Sequence, residues 1–252
     1  MFGFRPKLPV SEDERSWIDS GFARFKSMLG AKRMTGCTVV EPTDRYFPDR
    51  WEPSRAGLEV LFRRVCEYMH VDPNHVDLEI IPDSSEIMEL SPEYSLRPND
   101  PAGHPAGVHF GPTRDQKPLI AVRRSLLKDP LTVVATVAHE LGHVILLDDG
   151  HLSRDVEDTE PMTDLVTVYL GLGIFTANAC CRFTKYRDDR YEGWSSSRHG
   201  YLSEEIYGYA LALFARERGE ASPSWAAHLA TNVLTYFRRS AAWLEDRSRQ
   251  AV

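Results

Sequence analysis

The stretch Thr132-Val-Val-Ala-Thr-Val-Ala-His139-Glu140-Leu-Gly-His143-Val-Ile-Leu-Leu147 decides how the chain is read. Asp129-Pro130 just before it is a helix start: an Asp that can cap, then a Pro where no N–H is needed. Leu131, Val134, Ala135, Ala138, Leu141 and Ile145 recur at helical spacing and give a buried side. On such a helix His139 and His143 project one turn apart from one face. Two neutral imidazoles so placed can hold one Zn²⁺ at about 2.0–2.1 Å each. Glu140, next to the first imidazole, is positioned to take a proton from water that the ion activates. The alternative is two surface histidines and a solvated Glu. The apolar flanks argue against it, because a buried His-Glu-His set without partners is costly.

The same stretch reads as too short and too interrupted to span a membrane. Elsewhere the chain has the composition of a globular protein of 252 residues, with 42% hydrophobic and 27% charged residues. Net charge is −7 and Lys and Arg are scattered, which argues against a nucleic-acid partner. Cys37, Cys66, Cys180 and Cys181 form no C-x-x-C pair, so packed, reduced thiols are expected. The first ten residues hold no apolar run of signal-peptide length. Together these features point to a cytoplasmic protein with no membrane association.

Outward from the central helix, the pattern predicts an α+β fold. Helices are expected over Ser11–Leu29, capped by Ser11, and over Ser54–His70. Strands are expected at Thr38–Glu41, Val76–Ile81, Gly107–Phe110 and Pro118–Arg123. They would form a small twisted sheet from residues 38 to 123, packed on the central helix. Pro92–Pro112 is otherwise a Pro- and Gly-rich loop, best read as a surface excursion. Beyond Asp148-Asp149-Gly150 the chain reads as mostly helical. One helix is capped by Thr159 and runs through Ile174, another covers Ser203–Arg218, and a last one covers Trp225 to about Leu244. The expectation is one domain of two lobes, residues 1–147 and 148–252.

A catalytic zinc usually has three protein ligands and one open position. The extended pattern with Gly three residues after the second His, and a third His three beyond that, is excluded here by Leu146 and Asp149. The other source is an acid on the following helix. Glu160 is one candidate, with Asp164 four residues on along the same face. Glu157 is the nearest competitor, and His151 and Asp155 are weaker ones. Glu160 also has a bland reading, as a first-turn acid favoured by the helix dipole. Pro161 sets it at the start of its helix.

His139-Glu140-Leu-Gly-His143 followed by Glu160-Pro-Met-Thr-Asp164 resembles the signature of the zincin metallopeptidases of gluzincin type. The resemblance covers about residues 118–175. It implies one zinc ion, with Glu160 as the third ligand beside His139 and His143. It implies that Asp164 accepts the second ring N–H of a zinc histidine. It further implies hydrolysis of a peptide or protein substrate, with Glu140 as general base. Tyr191, His199, Tyr201 and Tyr207 are candidates for an oxyanion donor, although Tyr207 also suits helix packing. In zincins extended substrate pairs with a sheet edge near the active-site helix, a role that Leu119–Arg123 could take here. A second expectation belongs to another class: a zinc-binding regulatory or interaction protein on the same fold, without turnover.

Overall fold

A computed structural model describes residues 6–83, 88–91, 94–96, 107–110, 117–148, 158–185 and 202–250. In chain order the helices are α1 (Glu12–Leu29), α2 (Ala31–Thr35), α3 (Arg55–Met69), α4 (Pro130–His143), α5 (Thr159–Tyr169), α6 (Gly173–Lys185), α7 (Glu204–Glu217) and α8 (Thr231–Gln250). The strands are β1 (Asp77–Ile81), β2 (Met88–Ser91), β3 (Tyr94–Leu96), β4 (Gly107–Phe110) and β5 (Leu119–Arg123). The fold is α+β with a helical C-terminal half. The chain forms two compact units, one of Thr43–Glu157 and one of Met1–Pro42 with Asp158–Val252.

In the Thr43–Glu157 unit, a three-stranded sheet has the order β1-β5-β4. β5 runs parallel to β1, with Asp77 opposite Leu119, and antiparallel to β4, with Phe110 opposite Leu119. β2 and β3 form a separate antiparallel pair. β5 is thus the central strand and is paired on both sides. This corrects the expectation that Leu119–Arg123 is a free edge for substrate. It also explains the unbroken apolar run, since Leu119 to Val122 are all buried. α4 packs against α3, β4 and β5. Its start is fixed by Asp129, whose carboxylate accepts the Leu131 N–H at 3.2 Å and the Thr132 hydroxyl at 2.8 Å. Every residue from Thr132 to His143 is buried, so the helix is covered on all sides. Pro130–Leu147 is long and apolar enough to cross a membrane, which corrects the expectation that it is too short; 83% of it is covered by protein, as in a core helix.

Among the described residues, the regular elements of the other unit are all helices. α1 opens on a capping box: Ser11 Oγ accepts the Glu14 N–H, and Glu14 accepts the Ser11 N–H at 2.7 Å. α1 packs on α5 and α7, and α7 packs along α8. Arg218, just past α7, donates to the carbonyls of Met34 and Cys37 at 2.6 and 3.1 Å and pairs with Glu220 at 2.7 Å. That one planar guanidinium ties the turn after α2 to the end of α7. Cys37, Cys66 and Cys180 are buried free thiols, and burial pushes Cys37 up to about 11 and Cys66 to about 12.

Three elements differ from expectation. Thr38–Glu41 is not a strand; Val40 N–H instead donates to the Gly171 carbonyl at 2.9 Å. The helix expected through Ile174 stops at Tyr169 and restarts at Gly173. Gly171 sits at φ +87, and a Cβ there would lie 2.3 Å from the Thr38 carbonyl oxygen, so both the turn and the close approach demand glycine. The last helix begins at Thr231, after a 3₁₀ turn over Ser224–His228.

Gly208 is where α7 and α8 touch. A Cβ on it would come within 2.4 Å of Tyr236 Cβ and 2.9 Å of the Phe237 nitrogen. Backbone cannot rotate aside, so the helices would have to part. Gly208→Val is therefore expected to cost about 3 kcal/mol or more, read as a lowered urea midpoint. Wild-type stability in that variant would refute the packing account.

Candidate metal centre

α4 delivers two imidazoles from its final turn. His139 and His143 are four residues apart, their ring centroids lie 4.9 Å apart, and the rings are nearly perpendicular at 84°. Both are buried, as is Glu140 between them. The helix ends at His143 and continues as a π-helical turn over Val144–Asp148. The carbonyl end of a helix carries partial negative charge, which favours a cation near these two rings.

α5 supplies the acid. Its N-cap is Asp158, which accepts the Trp17 indole N–H at 3.2 Å. Thr159, expected as the cap, is the first helical residue instead. Glu160 and Pro161 follow in the first turn, where N–H groups have no intrahelical acceptor and Pro is harmless. Glu160 is exposed and stands at the positive end of the helix dipole.

His139, His143 and Glu160 each offer one ligand atom, and the three atoms lie within 4.8 Å of one another. Donors around a tetrahedral ion at about 2.1 Å sit ~3.4 Å apart, so modest side-chain rotation closes the set. Two imidazole nitrogens and one carboxylate oxygen suit a borderline divalent transition ion. The group could hold a metal ion. Glu157, the competing third ligand, lies outside the described residues, as do His151, Asp155, Tyr191, His199 and Tyr201.

Asp164 is one turn beyond Glu160 and almost wholly buried, at 1% exposure. Its Oδ2 accepts the Leu202 N–H at 3.0 Å. Tyr207 is buried in the same region. Behind them the Thr167 hydroxyl donates to the Asp164 carbonyl at 2.7 Å and meets the Thr176 hydroxyl at 2.8 Å. Burial first, then the charge of the Asp164 carboxylate, pushes the Tyr207 phenol well above its usual range, so it keeps its proton. The motif points to Asp164 but not to its bond with Leu202, which is 38 residues away. Met162 is buried.

Comparison with protein-family models, with curated proteins and with solved structures returned no match for this chain.

Proposed function

We propose that this protein is a zinc-dependent metallopeptidase of gluzincin type. The observation that carries the reading is the group of His139, His143 and Glu160, with the Glu140 carboxylate buried beside it. A zinc ion bound there would supply Lewis acidity, lowering the pKa of water from 15.7 to about 7 and polarising a carbonyl. His139 and His143 would hold the ion through ring nitrogens, and Glu160 through a carboxylate oxygen. Asp164 would accept the second N–H of a ligand imidazole and fix its tautomer. The Glu140 carboxylate takes the proton of the attacking water and returns it to the departing amine nitrogen, so the water's two fragments end on the two products.

The substrate of this reading is a peptide or protein bound extended. β5 has no free side, so pairing falls to an outer strand. β4 is the better candidate, because it packs on α4, which carries Glu140. The test is metal content by elemental analysis, with mass-spectrometric detection of cleavage in a mixed peptide library. The expected result is about one zinc per chain and cleavage that stops on chelation and returns with zinc. No metal retained after reconstitution would remove the reading. Stoichiometric metal with no cleaved peptide would reduce it to a binding protein.

A further inference from the structure

The first turn of α5 carries Glu160, and its N-cap departs from the usual arrangement. An Asp in that place ordinarily accepts the backbone N–H of the second or third helical residue. In α5 these are Glu160 and Pro161, and Pro161 has no N–H to offer. The Asp158 carboxylate makes no cap hydrogen bond to its own helix. It reaches instead to α1, where its Oδ2 accepts the indole N–H of Trp17 at 3.2 Å. An aspartate so used forgoes the helix stabilisation that a cap supplies. Starting α5 therefore does not account for the contact, whereas fixing where the first turn stands does.

The Trp17 bond is the first in a series along both helices. Gly21, one turn farther along α1, lies so close to α5 that a Cβ there would come 2.5 Å from Leu165 Cδ2 and 3.6 Å from Met162 Sδ. Beyond it, the rings of Phe22 and Phe25 meet Tyr169 edge-on at 5.7 and 5.5 Å. The Tyr169 hydroxyl donates to the Gly30 carbonyl at 3.0 Å. The contacts advance in the same direction on both helices, so α1 and α5 run parallel, side by side. Apolar packing, which is not directional, secures the middle of α5. At the end that carries Glu160, the directional contact from α1 is the Trp17 hydrogen bond. His139 and His143 are buried, whereas Glu160 is exposed and takes its aim from the backbone of its turn.

We infer that Trp17 is a positioning residue of the metal centre: through Asp158 it fixes the turn from which Glu160 reaches the ion. This inference rests on the proposed function only in that Glu160 is a metal ligand.

The test is zinc affinity of the full chain by competition with a chelating dye. The proteins are wild type, Trp17→Phe, Asp158→Ala and the double variant, each shown to be folded by a cooperative urea transition. Trp17→Phe keeps an aromatic ring and removes the N–H, and is expected to weaken binding about 3–10-fold. Asp158→Ala removes the acceptor together with a negative charge, so its loss should be at least as large. In that background the tryptophan change should add nothing, because its effect passes through the carboxylate. Equal losses in both backgrounds would overturn the inference, as would Trp17→Phe binding within twofold of wild type. The visible absorption of the Co²⁺-loaded proteins follows ligand geometry and is not moved by a change in stability alone. Trp17→Phe is expected to alter its intensity, and a spectrum identical to wild type would overturn the inference. If Trp17→Phe does not fold, Asp158→Asn and Asp158→Ala are compared, since both lack the charge and the amide can still accept the indole N–H. Binding about twofold to threefold weaker in the alanine variant is expected, and equal affinities overturn the inference. Absence of zinc binding in wild type would overturn both this and the metallopeptidase reading. Zinc binding that depends on Trp17, with no peptide cleaved, would support this inference and remove that reading alone.

Discussion

Glu140→Gln is expected to keep its full complement of zinc and to hydrolyse peptides about 10²–10⁴-fold more slowly than wild type. The amide has the volume of the acid, so the buried position between His139 and His143 is refilled without a cavity. Glutamine cannot accept the water proton, and that is the whole of the predicted loss. The ligands are untouched, so elemental analysis of the variant should match wild type. The split between unchanged metal and lost turnover identifies a base; joint loss of both would identify a structural residue. A variant that keeps wild-type turnover would take Glu140 out of the chemistry.

His143→Ala is expected to weaken zinc binding beyond the ~100-fold that outer partners reach, because it removes a donor rather than its support. It should also abolish the stabilisation that zinc confers. For wild type at a free zinc concentration 100 times Kd, ligation adds about 2.7 kcal/mol. In a protein of this size that raises Tm by roughly 5–11 °C. The variant should melt at one temperature with or without zinc. A zinc-dependent shift equal to wild type would place the ion elsewhere in the molecule.

The parts of this protein that were legible in its sequence are those governed by short-range rules. α4 was readable because Asp129-Pro130 marks its start and its apolar residues keep helical spacing to the end. α1, α3 and α7 carry serine caps that hydrogen-bond as their spacing implies. What could not be read depends on partners far away in the chain. β5 as a central strand follows from which strands flank it, and no local pattern states that. The end of α5 was missed because apolar residues run straight through Leu170-Gly171-Leu172, while the break is set by Thr38 pressing on Gly171. β3 lies inside the Pro92–Pro112 stretch that proline and glycine marked as loop, and it pairs with β2 just before it. At the candidate metal centre the pairing of His139 with His143 follows from helical spacing, and Glu160, suggested by the resemblance, lies close enough to join them; the contact of Asp164 with Leu202 had no local signal.

The helical unit is assembled from both ends of the chain, Met1–Pro42 and Asp158–Val252, while Thr43–Glu157 is contained between them. On a translating ribosome the inserted unit emerges whole and has all its strands in hand early. α1 and α2 must wait, without their packing partners α5 and α7, until more than a hundred further residues have been made. The two histidines are thus available long before Glu160 is seated in a finished helix. If the group binds a metal as proposed, its full donor set exists only at the close of synthesis.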